Sequence, residues 1–323
     1  MSGRPLEMSF TATAPGKIII AGEHFVVHGS YALAAAIDRG STVHASPSSH
    51  PVIVSKSLGL VADLDGKVPD RLRPLAKTLT ATLSWLNESR GVKCELESNI
   101  PISAGLGSSA AGSVALVAAA SAALGHSLKP NEIFDLAMVS ERMIHGNPSG
   151  IDPAVATYGG VMLFSKGAPH RPIQLKTPAN FIIGFSGVDR STSKMIHRFS
   201  ESQTSHPSTF RALVRSSSVF AENAAKALSE GDLNSLAAIM NFNHTILSSL
   251  GVSSPTLDSL VEAALDAGCL GAKLTGGGGG GCIIALPPAD SADTALTLLR
   301  RSAAEAWISK IPQAGVKVWR SGD

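Results

Sequence analysis

A chain of 323 residues, 44% hydrophobic and 16% charged, has the composition of a compact folded protein, long enough for two domains with a sizeable core each. Lys and Arg number 27 against 25 Asp and Glu, a net charge of only +2 with no dense basic block, which excludes a surface that tracks nucleic-acid phosphates. Three cysteines (Cys94, Cys269 and Cys282) at wide spacings with no C-x-x-C pair exclude a disulfide framework and a structural zinc site, and fit a reducing compartment.

From the N-terminus, residues 1–9 lack the apolar core of a secretory signal, and the C-terminal Ser-Gly-Asp is no peroxisomal address, so the cytoplasm is expected. Phe10 to Ala21 reads as a strand interrupted at Ala14-Pro15-Gly16-Lys17. Gly22-Glu23-His24 forms a polar elbow, and Phe25 to His28 reads as another strand. Between Arg71 and Asn87 the leucines at 72, 75, 79, 83 and 86 recur at helical spacing, followed by Gly91 as a stop and by Val92, Cys94 and Leu96 alternating as a strand. Ser108 to Leu124 reads as a small-residue helix. Its apolar stretch is too short to span a bilayer and is interrupted by Ser121. Asn131 is the expected N-cap of a further helix through Ile144. Phe181 to Phe185 reads as a buried strand, helical patterns dominate up to Asp266, and the domains are expected to divide near residue 180, into 1–180 and 181–323.

Four segments carry candidate chemistry. Ser103-Ala104-Gly105-Leu106-Gly107-Ser108-Ser109 lies between a strand and a helix, where free N–H groups and the helix dipole favour an anion. A tight turn with Ser108 or Ser109 as N-cap explains the same residues equally well when the segment stands alone. No acidic residue ends a second parallel strand some 20 positions on, as a dinucleotide site requires, and no Lys-Ser/Thr follows a glycine, as a Walker loop requires. The missing cation is available from Lys17, unless that lysine faces solvent on an edge strand.

Glu141 to Asp152 runs from a helix end through a Pro-Ser-Gly elbow to a carboxylate. Glu141 and His145 share a helix face without the spacing of a zinc protease, and Glu141 with a Ser108 or Ser109 hydroxyl suits magnesium on nucleotide phosphates. Asp152 before Pro153 reads by its spacing first as an N-cap, a role that can coexist with that of a carboxylate that orients and accepts the proton of a substrate hydroxyl. Lys273-Leu274-Thr275 leads into six glycines and then an apolar strand, so the glycines read as bare backbone approaching a ligand or another loop and not as a linker.

Pro15-Gly16-Lys17 to Glu23-His24, Ile102 to Ala111, and Lys273 to Cys282 together resemble the galactokinase, homoserine kinase, mevalonate kinase and phosphomevalonate kinase (GHMP) superfamily over almost the whole chain. Glu141-Arg-Met-Ile-His-Gly-Asn-Pro-Ser-Gly-Ile-Asp152 and Gly22 to Gly29 are similar to its mevalonate kinase branch. The resemblance implies a two-domain α+β fold. It has an α/β N-terminal domain of the ribosomal-protein type, with a left-handed β-α-β unit carrying the phosphate loop, an α+β C-terminal domain, and an active site in the cleft between them.

It further implies Lys17 and Asp152 as the catalytic pair, Ser109 and Glu141 as Mg2+ ligands, and Ser98 with Ser103 to Ser109 on ATP. Glu23, His24, Thr192 and, after the Gly159-Gly160 turn, Lys166 would lie on the side of the acceptor alcohol, mevalonate. Homodimers and competition between isoprenoid diphosphates and ATP are the partner properties it implies, with neither nucleic acid nor membrane among them. Ser103 stands where many relatives have glycine. An RNA-binding protein sharing the N-terminal fold is the alternative from another class, disfavoured by the near-neutral charge and by Lys17, Glu141 and Asp152.

Overall fold

The computed structural model describes residues 8–188 and 205–322. Two sheets organise them. The first is built on β1 (Phe10–Ala21) and β2 (Ala32–Ser48), an antiparallel pair in register from Phe10↔Ala45 to Ala21↔Leu33. The long β2 serves two neighbours: its start pairs with β6 (Val161–Phe164), and its end with β5 (Gly91–Ser98). β3 (Val52–Ser55) lies parallel to β5 and antiparallel to β4 (Leu60–Asp63), while β7 (Arg171–Ile173) extends from β6. Helix α1 (Arg73–Trp85) carries the chain from β4 back to β5, so β3, α1 and β5 form a β-α-β crossover whose last strand feeds the glycine loop.

Sequence reading placed a break at Ala14 to Lys17, but β1 runs through it. A register shift falls between Pro15 and Gly16, and the backbone opposite is so close that a side chain on Gly40 would lie 2.1 Å from the Ala14 carbonyl. The proline bends the strand without ending it. Phe25–His28 is a short 3-10 helix and not a second strand. Its Phe25 and Val26 are apolar because they are buried, while Gly22 and His24, both with positive φ, have already reversed the chain.

Helices α2 (Ser108–Ala123), α3 (Pro130–His145) and α4 (Ile151–Tyr158) complete this half. α2 is buried nearly all round, and its Ala, Gly and Ser side chains let it approach β1, β2, α3 and α4 together. Among the described residues no helix is long and apolar enough to cross a membrane. The helix starts differ from those expected. Gly107, and not a serine, precedes α2; Lys129 precedes α3, its N–H donating to Glu132 Oε2 at 2.6 Å; and Gly150 precedes α4. Asn131 and Asp152 therefore lie inside first turns and are not caps.

The second sheet has the order β11 (Glu305–Ser309), β8 (Phe181–Phe185), β10 (Cys282–Leu286), β9 (Gly271–Thr275), antiparallel throughout. It packs with α6 (Leu233–Ser249), α7 (Pro255–Asp266) and α8 (Ala292–Leu299), while α5 (Pro207–Glu230) lies on α6 and on β1, β2, β6 and β7 of the first sheet. The chain changes sheet between Ile173 and Phe181, then returns at its far end, where β12 (Lys317–Arg320) pairs antiparallel with Phe10 to Thr13 of β1. One apolar cluster joins Ile18, Ile20 and Leu33 of the first sheet to Phe181, Ile284 and Met240 of the second half, so the seam between the sheets is itself core.

Candidate active site

The segment between β5 and α2 holds three left-handed residues, Ser103 (φ 59°), Gly105 (φ 85°) and Gly107 (φ 76°). Ser103 is the position where glycine is common among the proteins the loop resembles, and its backbone angle is the one glycine adopts without steric cost. The curl delivers the chain into α2, whose first-turn N–H groups have no partner within the helix and form an anion-binding end. Ser98, at the end of β5, places its Oγ 3.1 Å from Ser108 Oγ and donates to the Gly40 carbonyl at 3.3 Å. A cavity of about 550 Å³ opens here, bounded by Ser98, Ser103, Ser108 and Ser109 on its polar side and by Leu58, Leu75, Leu96 and Ile102 on its apolar side. That size and mixture suit a nucleotide. Ala104 and Leu106 turn their side chains into the core, and the loop offers backbone at those positions.

Strand β1 meets this loop at Gly16 and Lys17. A side chain on Gly16 would lie 2.7 Å from the Leu106 carbonyl, and the Lys17 N–H donates to that same carbonyl at 2.8 Å. The Lys17 side chain is buried, with 4% of the residue exposed, so the solvent-facing alternative does not hold. Its Nζ lies 3.3 Å from Asp152 Oδ1. Asp152 keeps 27% of its side chain exposed, leaving an open side for an acceptor, and its place in the first turn of α4 favours a negative charge. Gly107 faces both: a Cβ there would be 3.1 Å from Lys17 Cγ and 3.5 Å from Asp152 Oδ2.

Glu141, on α3, is buried, and its acid is pushed up to about 8, first by loss of water and then by the Asp152 carboxylate, with Lys17 opposing. His145 Nε2 lies 3.9 Å from its Oε2. Helices α2 and α3 are tied by a 2.7 Å contact between the buried hydroxyls of Ser113 and Ser140, and Ser113 also donates to the Ser109 carbonyl at 3.0 Å. A buried carboxyl that burial and a neighbouring carboxylate hold protonated is one that a cation would recharge. Glu141 feels the charges of Lys17 and Asp152, and a carboxylate oxygen combined with a serine hydroxyl is the hard donor set magnesium takes.

The residues expected on the acceptor side fare differently. Glu23 has no exposed surface and is paired with the equally buried Lys273 of β9. Burial raises the Glu23 acid and lowers the Lys273 ammonium, and the pair forms because each supplies the charge that the other's burial demands. His24 points its Nε2 to within 3.2 Å of the Gly277 carbonyl, and Lys166 donates to Asn147 Oδ1 at the elbow before Asp152. Thr192 lies outside the described residues. The six glycines form a tight connection between β9 and β10, in which a side chain on Gly278 would sit 2.1 Å from the Val252 carbonyl, so they are packed backbone. Sequence reading gave Lys273 no role. The signal that singled out Lys17, a lysine inside an apolar strand, was present there as well.

The first half matches the family model for the GHMP kinases N-terminal domain over residues 73–160, and the second the GHMP kinases C-terminal model over 224–305. Fold and site together thus define a small-molecule kinase of the GHMP class. The mevalonate kinase of Aeropyrum pernix is 35% identical over 318 residues, covering 95% of this chain and 97% of that protein. The crystal structure of L. major mevalonate kinase in complex with R-mevalonate superposes with a TM-score of 0.82 at 28% identity, over 96% of this chain and 98% of the other. That of the Methanococcus jannaschii mevalonate kinase gives 0.82 at 26%, over 97% and 100%. The chain belongs to the mevalonate kinase family.

Proposed function

We propose that the protein transfers the γ-phosphoryl group of ATP to the 5-hydroxyl of (R)-mevalonate, giving ADP and 5-phosphomevalonate for isoprenoid biosynthesis. The observation that carries this reading is the Lys17–Asp152 pair at 3.3 Å, seated against Gly107 at the start of α2 beside a nucleotide-sized cavity. Loop amides and the serines at 98, 103, 108 and 109 hold the phosphates, and the Lys17 ammonium offsets the negative charge spread over the transferring group. Asp152 accepts a hydrogen bond from the attacking hydroxyl, aligns it, and takes up its proton as the new O–P bond forms. Magnesium, held by Glu141 and Ser109, would neutralise phosphate charge.

His24, Lys166 and Thr192 face the acceptor in this reading, Lys166 supplying the cation for its carboxylate. The family reading also carries a homodimer, competition of isoprenoid diphosphates with ATP, a cytoplasmic location and a domain division near residue 180. ADP release measured with mevalonate, phosphomevalonate, galactose and homoserine tests the assignment. Turnover with mevalonate alone is expected, and turnover with any of the others in its place would overturn it.

A further inference from the structure

Glu23 and Lys273 lie 250 residues apart, and neither has any exposed surface. Besides meeting Glu23 Oε1, the Lys273 ammonium donates to the Leu274 carbonyl at 2.6 Å and reaches the Ile19 carbonyl at 3.5 Å. Two residues on, Thr275 Oγ1 accepts from the Ile19 N–H at 2.8 Å and lies 3.1 Å from the Ile19 oxygen. Two residues further still, the Gly277 carbonyl meets His24 Nε2 at 3.2 Å. Alternate residues of one run, from β9 into the glycine connection, thus each grip the segment from Ile19 to His24 at the end of β1. That segment starts two residues after Lys17.

Apolar packing already fills this seam, through Ile18, Ile20, Phe181 and Ile284. An ion pair adds little stability there, since apolar pairs in buried positions are often as stable or more so. Glu23 Oε2 is moreover buried with no hydrogen-bond partner among the described residues, a further cost. What charges and hydrogen bonds add, and apolar contacts do not, is a fixed distance and direction between the two strands.

We propose that Glu23 and Lys273 are a positioning pair: they lock β9 and the Gly276 to Gly281 connection onto the end of β1, and so fix the strand from which Lys17 reaches Asp152, without touching substrate. The inference rests on the kinase reading, which activity of the parent protein on mevalonate tests separately. Glu23→Gln or Lys273→Met alone strands a buried charge and is expected to yield little folded protein. The double variant Glu23→Gln/Lys273→Met removes both charges and should melt close to the parent.

In it, kcat is expected to fall about 10- to 100-fold, the scale of a sub-ångström misplacement of catalytic groups. KM for ATP and for mevalonate should stay within about threefold, the pattern of lost transition-state geometry and not of lost binding. Thr275→Val removes the uncharged grip on Ile19 and should lower kcat in the same direction. Parent-like kcat in a double variant that melts like the parent would reduce the pair to a structural one. A large rise in the KM for mevalonate with kcat kept would return Glu23 to the substrate. Should the double variant not fold, unchanged kcat in Thr275→Val overturns the proposal.

Discussion

Gly107 offers a test that separates backbone strain from active-site geometry. Its φ of 76° is left-handed, and so is that of Gly125 (86°), just beyond the other end of α2. An alanine at either position should cost roughly 1–2 kcal/mol of stability through the backbone alone, a few degrees of melting temperature for a chain of this size. Around Gly125 a new Cβ meets nothing within 4 Å, whereas at Gly107 it would lie 3.1 Å from Lys17 Cγ and 3.5 Å from Asp152 Oδ2. Carbon pairs prefer about 3.5–4.0 Å, so Gly107→Ala must push the lysine away by a few tenths of an ångström and stretch its 3.3 Å contact with Asp152. The two variants should therefore melt alike. Turnover should be parental in Gly125→Ala and lower by about 10²-fold in Gly107→Ala. Thermal melting with a coupled ADP-release assay on both proteins measures this, and equal turnover would refute the idea that glycine is required at 107 to admit the Lys17–Asp152 pair.

Asp152→Asn should lower turnover by about 10²- to 10⁴-fold while calorimetry with a non-hydrolysable ATP analogue finds nearly unchanged binding. Glu141 holds its proton up to about pH 8 in the folded protein against an ordinary value of 4.5, so between these the unfolded chain binds fewer protons than the native one. Stability in metal-free buffer is then expected to fall as pH rises through that window, by up to about 1.4 kcal/mol per pH unit, and urea titrations of Glu141→Gln should show the slope flattened. Burial raises the thiols of Cys94 and Cys269 to about 12 and about 11, and Cys282 is buried too. A thiol reagent should accordingly label none of the three in the native state and all of them in denaturant.

Much of this was legible in residue order. Lys17, Asp152 and the 103–109 loop were each ambiguous alone, since an edge lysine and a helix start explain them without any chemistry. Their chemistry emerged from combination, and the fold brings Lys17, Asp152 and Gly107 into one contact. Alternation and helical spacing located β5, α1 and β8 because those elements present one buried face, or two, in regular period. Phe25 to His28 misled because β-branched residues report burial as readily as extended backbone, and Pro15 because a strand tolerates a proline where its partner contributes a glycine. The pairing of Glu23 with Lys273 was not legible because the two lie 250 residues apart, and no local pattern announces a contact at that range.

The pairing of β12 with β1 has a consequence for how the protein is made. Residues 10 to 13 leave the ribosome well before the strand that covers their outer edge, residues 317 to 320. At ~5–20 residues per second, the roughly 300 intervening residues take about 15 to 60 s to synthesise. For that interval the half of the molecule bearing the glycine loop carries an uncovered strand edge, open to pairing with foreign strands. That half is complete only once residues 317 to 320 have emerged, and truncation before Lys317 would leave its edge open permanently.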